Sequence, residues 1–139
     1  MNVGNESDNE RMRVLLVEDH LDTLRCLEHL FRRLGYLTRT ASTCALARAA
    51  LQEADGGVDV IVSDVGLPDG DGIALLEELK QRYGVGSVAL TAHVMPADIR
   101  RYERSSVDCC LRKPCGVKDL RLAIETFAPV NRLPARRTA

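Results

Sequence analysis

No stretch of this 139-residue chain approaches the roughly 20 apolar residues that span a bilayer. The N-terminal run MNVGNESDNERMR is polar and has no apolar core of the kind a secretory signal needs. Neither sign of charge dominates: the formal net charge is −1, which argues against nucleic acid or an anionic membrane as a bulk electrostatic partner. No C-x-x-C pair occurs among the five cysteines Cys26, Cys44, Cys109, Cys110 and Cys115. An odd count without pairing motifs points to reduced thiols in a cytoplasmic setting, filling space and not binding metal. The phosphate-loop pattern G-x-x-x-x-G-K-[ST] is missing, as is an Asp-x-Asp after the first apolar run. Nucleotide hydrolysis and dehalogenase-type phosphatase chemistry are therefore disfavoured. So is flavin binding, because no Ser/Thr/Gly-rich loop follows that first run.

What remains is an ordinary globular composition, 45% apolar and 28% charged, on a chain the size of one domain. Residues 1–12 read as a disordered lead-in and 129–139 as a basic tail. Between them, strand-like and helix-like segments alternate five times. RVLLV (13–17), VDVIVS (58–63) and SVALT (87–91) are nearly all apolar, as parallel strands buried on both faces should be. YLTRTA (36–41) alternates and suits an edge, and DCCL (108–111) makes a fifth strand. Alternation points Cys109 and Cys110 to opposite faces.

Helical spacing fills the gaps. Leu24, Leu27, Phe31 and Leu34 form one stripe, ended by Gly35. An Ala-rich segment, TCALARAALQEA, follows the second strand. Ile73, Leu76, Leu79 and Tyr83 make a third stripe, stopped by Gly84. Met95, Ile99 and Tyr102 suggest a shorter fourth helix. Val117, Leu120, Ile124 and Phe127 make the fifth. Core packing accounts for all these stripes. Strict alternation with right-handed crossovers predicts an α/β, flavodoxin-like (βα)5 fold: a doubly wound parallel sheet in the order 2-1-3-4-5.

That order has a chemical consequence. Ligands of open α/β sheets bind beyond the carboxyl ends of the strands. The first strand runs into Glu18-Asp19, the third into Asp64, the fourth into Thr91, and the fifth is followed by Arg112-Lys113-Pro114. Clustered carboxylates repel one another unless a cation joins them. Oxygen donors, with no histidine or thiolate expected nearby, favour Mg2+ over zinc. Lys113 and Thr91 can meet phosphoryl oxygens, and Asp64 can act as a nucleophile that becomes an aspartyl phosphate.

Plain structural readings stand beside these. Glu18-Asp19 suits a helix N-terminus, and Asp19 is also placed to cap that helix. Thr91 is a good strand former. Asp69 and Asp71 belong to a turn. His93 is either a site-entrance residue or a solvent-facing helix start. Arg132, Arg136 and Arg137 read as a solvated tail.

The segments VLLVEDH (14–20), VIVSDVGLPDGDG (60–72), ALTAH (89–93) and LRKP (111–114) together resemble the receiver domain of two-component response regulators over residues 13–128. That resemblance implies phosphoryl transfer to Asp64 from a histidine kinase or histidine phosphotransfer protein. It implies Mg2+ ligated by Asp19, Asp64 and the Gly66 carbonyl, with Glu18 acting through a metal-bound water. Thr91 and Lys113 would hold the phosphoryl oxygens, and Lys113-Pro114 would be cis. Thr91 would also take part in the switch. Two departures stand out. Cys110 occupies the place where the family usually has an aromatic switch residue, and Ser105-Ser106-Val107 replaces a customary Ala-Gly. The first leaves an alternative: a receiver-like module that binds a partner independently of phosphorylation. The resemblance implies a cytoplasmic monomer or weak dimer with no enzymatic activity beyond its own phosphorylation and dephosphorylation. It is expected to contact an unidentified downstream protein but no nucleic acid or membrane. It is either a stand-alone regulator or the C-terminal receiver of a hybrid kinase.

Overall fold

The computed structural model describes residues 11–92 and 95–129. His93, Arg132, Arg136, Arg137 and residues 1–10 lie outside the described residues. The elements alternate as β1 (Arg13–Val17), α1 (Leu21–Arg33), β2 (Leu37–Ala41), α2 (Cys44–Glu53), β3 (Val60–Asp64), α3 (Gly72–Tyr83), β4 (Gly86–Thr91), α4 (Pro96–Arg104), β5 (Cys109–Arg112) and α5 (Val117–Phe127). All four strand pairings are parallel, and the sheet order is β2-β1-β3-β4-β5. This is the flavodoxin-like arrangement. A minor antiparallel ladder, Gly66–Leu67 against Gly70–Asp71, closes the loop after β3 and was not legible in the sequence.

Alternating residues of the central strands feed two cores. Leu15, Val17, Ile61 and Ala89 face α2 and α3, where Ala47, Leu51, Leu76 and Leu79 meet them. Val14, Leu16, Val62, Val88 and Leu90 face α1 and α5, where Phe31, Leu120 and Ile124 meet them. Cys110 packs on the first side and Cys109 on the second, as alternation requires.

Local chemistry sets the helix ends. The Thr43 hydroxyl accepts the Leu46 N–H at 3.0 Å at the start of α2. Asp71 does the same for Ala74 at the start of α3. Gly84 ends α3 in the left-handed region, where glycine carries no steric cost.

Several expectations need correction. Met12 is not part of a loose lead-in: it is buried at 3% exposure, and its carbonyl accepts the Leu37 N–H. Asp19 does not cap α1. The N-cap is His20, and no side chain bonds there. Val117 is exposed, so α5 buries Leu120, Ala123 and Ile124 instead. Finally, α4 buries no residue, and Met95 and Ile99 are exposed. The side chains beneath it are small, with Thr91 and Cys110 lining a cavity of about 230 Å3 against Ile99 and Tyr102. Val65 and Ile73 line this cavity as well, and α4 leaves it unfilled.

Candidate functional site at the carboxyl edge of the sheet

The parallel register brings the ends of β1, β3, β4 and β5 to one edge. Val17 pairs with Ser63, Asp64 with Leu90, and Thr91 with Arg112. Glu18 leaves β1 with its N–H bonded to the Ala41 carbonyl, so the chain is still tied to the sheet as it turns inward. Its carboxylate is 1% exposed. Asp64 is the last residue of β3, half-buried, with Ser63 Oγ donating to its backbone carbonyl at 2.9 Å. The β3–α3 loop is packed tightly here: a Cβ at Gly72 would overlap the Asp64 carbonyl.

Lys113 joins the acids. Its Nζ donates to Glu18 Oε1 at 2.8 Å and stands 3.4 Å from Asp64 Oδ1. The Lys113 N–H is held by the Thr91 carbonyl at 2.7 Å, and Lys113-Pro114 is cis. Thr91 therefore anchors the lysine through its backbone, and its residue also lines the cavity under α4.

The three charges influence one another. Burial is the largest influence on Glu18 and opposes its charge. Bonds from Lys113 and the His20 N–H outweigh it and hold the carboxyl below its ordinary range. Burial pushes Asp64 up, the Glu18 charge adds to that, and Lys113 only partly offsets it. Burial also disfavours the Lys113 charge, but its bond to Glu18 and its nearness to Asp64 raise it overall.

The expectation of oxygen donors with no histidine nearby needs correction. His20 Nδ1 lies 3.5 Å from Glu18 Oε2 and 3.5 Å from Asp19 Oδ1. Asp19 Oδ1 is buried and has no hydrogen-bond partner. Glu18, Asp19 and His20 place their donor atoms within 4.8 Å of one another. An orphaned carboxylate oxygen beside a buried carboxylate is a suitable setting for a divalent cation, which would remove the repulsion between them. Lys113 Nζ contacts both Glu18 of this trio and Asp64, and Gly66 lies exposed on the minor ladder two residues beyond Asp64.

Residues missed from sequence concern support. Asp69 accepts from the Cys44 and Ala45 N–H groups at 2.7 and 3.0 Å, tying the loop after Asp64 to α2. Nothing in a D-G-D-G turn signals a partner 25 residues away. Asp108 accepts from the Ser87 N–H and from Lys80 Nζ, securing the turn before β5 without an Ala-Gly. Arg101 of α4 pairs with Asp71 at the start of α3. Tyr102 reaches from α4 to line the same cavity as Cys110, and burial pushes its phenol up.

The family model described as the response regulator receiver domain matches residues 14–125. The chain is 29% identical over 123 residues to the sensor histidine kinase RcsC of Escherichia coli strain K12. The match covers 88% of this chain and 13% of that protein. It is 32% identical over 110 residues to the two-component response regulator ARR10 of Arabidopsis thaliana, covering 79% of this chain and 20% of that one. The chain thus spans a small part of these curated relatives. Among solved structures, the signal receiver domain of an HD domain-containing protein from Pseudomonas fluorescens Pf-5 aligns with a TM-score of 0.73 at 27% identity. That alignment covers 84% of this chain and 94% of that one. A response regulator receiver domain protein from Clostridium thermocellum shares the fold, with a TM-score of 0.77 at 23% identity over 91% of this chain and 98% of that one. Motif order, sheet topology and the family match agree: the chain belongs to the response regulator receiver domains of two-component systems.

Proposed function

We propose that Asp64 is the phosphoryl acceptor of this receiver, and that a histidine kinase or a histidine phosphotransfer protein is the donor. The observation that carries this reading is Lys113 Nζ, 2.8 Å from Glu18 and 3.4 Å from Asp64 at the mouth of the sheet. A carboxylate at that edge meets a fixed positive charge where phosphoryl oxygens would gather.

An Asp64 carboxylate oxygen attacks phosphorus. The new P–O bond forms as the P–N bond to the donor imidazole breaks, and the imidazole leaves with the electron pair and takes up a proton. Lys113 turns from Glu18 towards the phosphoryl oxygens, and the Thr91 hydroxyl donates to another of them. Glu18, Asp19, Asp64 and the Gly66 carbonyl would hold Mg2+, Glu18 through water. The bound ion would supply charge that neutralises the phosphoryl oxygens and the acid cluster. In dephosphorylation water attacks phosphorus, the P–O bond to Asp64 breaks, and inorganic phosphate leaves as Asp64 regains its carboxylate.

The similarity to a short stretch of a sensor histidine kinase supports a hybrid-kinase receiver, and the similarity to response regulators supports a separate regulator. In either setting the domain acts in the cytoplasm, as a monomer or weak dimer, on a downstream protein. Among the described residues no helix is long and apolar enough to cross a membrane. Thr91 and the Cys110 region carry the signal outward. A binding module indifferent to phosphorylation is the second reading, favoured by Cys110 on β5. Acetyl phosphate with Mg2+ should add one phosphoryl group, seen by intact mass, and Asp64→Asn should add none. Labelling of that variant overturns Asp64 as acceptor. A partner whose affinity ignores beryllofluoride would favour the second reading.

A further inference from the structure

We propose that the amino edge of the sheet carries a second binding site, a basic cleft for a small molecule with two or more linked phosphate groups. It lies at the opposite end of the strands from Asp64 and does not depend on the phosphoacceptor reading. A cavity of about 570 Å3 opens there, lined by Arg11, Arg13, Arg32 and Arg39 together with Tyr36 and Thr38. No Asp or Glu lines it. The whole chain has a net charge of −1, so arginines gathered around one acid-free cavity run against its overall balance. Arg13 opens β1, and Glu18 follows the other end of that strand, roughly 16 Å away.

Backbone holds two of these arginines in place. Arg11 Nε donates to the Gly35 carbonyl at 2.8 Å. The Arg13 guanidinium lies against the turn before β3, where a Cβ added to Gly57 would stand 3.3 Å from Nη1. Arg13 pairs in register with Leu37, and Arg39 with Leu15, so alternation turns both arginines to the same face of the sheet. The surrounding acids are engaged elsewhere. Asp59 Oδ2 accepts the Arg13 backbone N–H at 2.8 Å. Glu125 Oε2 accepts from the Tyr36 hydroxyl and from Arg121, and Glu28 pairs with Arg32. Glu28 and Glu53 line a neighbouring groove that Arg39 shares. Among the described residues, the guanidinium groups of Arg13 and Arg39 have no carboxylate partner.

Plain structural roles explain single residues. Arg32 sits in the last turn of α1, where a cation offsets the helix dipole. Arg39 places a charge on an edge strand. Neither role gathers Arg11 and Arg13 at the same acid-free cavity. A guanidinium fork matches two oxygens of a phosphate. One phosphate group carries about two negative charges at most, so linked phosphates balance this arginine set better than a single one. The volume falls within the range of about 300–1,000 Å3 of ordinary small-ligand pockets and leaves room beyond one phosphate group. Arginines already held by backbone lose little freedom when a ligand arrives.

The test is titration of the intact, metal-free chain with pyrophosphate and with orthophosphate, read by calorimetry and amide NMR. Pyrophosphate should bind at least about tenfold more tightly, the worth of one added charge-assisted hydrogen bond. Arg13→Gln and Arg39→Gln should each weaken pyrophosphate binding at least about tenfold. Arg39 is exposed, so its variant probes the cleft without disturbing the core. The control Arg104→Gln, exposed at the end of α4, should change the affinity by no more than about twofold. Amide shifts should centre on residues 11–13, 36–39 and 57–58. Absence of binding, equal affinity for the two anions, undiminished binding in Arg39→Gln, or an equal loss in Arg104→Gln overturns the proposal. Shifts centred on Asp64 and Lys113 overturn it too. So does binding that emerges only when Glu6→Gln, Asp8→Asn and Glu10→Gln are combined, because the chain's own acidic lead-in would then be the occupant.

Discussion

Lys113 Nζ donates to Glu18 Oε1 across 95 residues of sequence, at 2.8 Å, with Glu18 1% exposed and Lys113 24% exposed. A charge buried this deeply is stable only while its partner remains. Lys113→Met should destabilise the domain by about 3 kcal/mol, the low end for breaking a buried pair, because the lysine keeps some solvent. Adding Glu18→Gln should recover part of that loss. Urea denaturation of the two single variants and the double variant checks this; strict additivity would show that the pair is not coupled.

Asp64 should hold its proton above the ordinary aspartate value of 3.8 in metal-free buffer, because burial and Glu18 disfavour its charge. The sign follows: protonation favours the folded state, so this group's stabilising contribution is present at low pH and is lost as pH rises through the raised value. Carboxyl-carbon NMR gives the midpoint. Lys113→Met should move it further up, since Lys113 now opposes the shift. A midpoint at or below 3.8 contradicts the geometry.

Asp69 shows the opposite sign. The Cys44 and Ala45 N–H groups hold its carboxyl below 3.8. Its contribution is present above about pH 5 and fades as pH falls through the lowered native value. Asp69→Asn should therefore melt at lower temperature than the unaltered chain at pH 7, with the gap closing towards pH 2.

Gly72→Ala should cost about 2 kcal/mol, because the added methyl overlaps the Asp64 carbonyl and the loop must shift. Labelling by acetyl phosphate should slow in the same variant. A stable variant with unaltered labelling would mean the loop yields freely.

Tyr102→Ala should loosen α4 selectively. The helix buries no residue, and Tyr102 is the partly buried side chain through which it packs on the core beside Cys110. Hydrogen exchange should speed up across 96–104 and stay unchanged in α5. Uniform acceleration would place the effect in the whole core.

Legibility followed the range of the interaction. The strands β1, β3 and β4 were readable because burial on both faces demands continuous apolar runs. Edge placement of β2 was readable from its alternation. Glu18, Asp19, Asp64, Thr91 and Lys113 were readable because each sits at a strand end, and strand ends of a parallel sheet converge. Asp69 was not readable as a clamp on α2, since its role is set by a helix start 25 residues back. The α4 stripe misled because Met95, Ile99 and Tyr102 have helical spacing whether or not a core lies beneath. Here the helix stands over an unfilled cavity lined by Val65, Ile73, Thr91 and Cys110.

By itself the sequence determined the alternation, the family and the identities of the acids, hydroxyl and amine at the sheet edge, because these depend on local periodicity and on residue type. Tertiary structure alone decided which oxygen of Glu18 takes Lys113 and which faces His20. It also decided that Asp19 Oδ1 is left unpartnered and that Tyr102, from another element, meets Cys110. These are distances between atoms on separate segments, and no local pattern encodes them. They arise when the sheet closes and burial forces each polar group to find, or to lack, a partner.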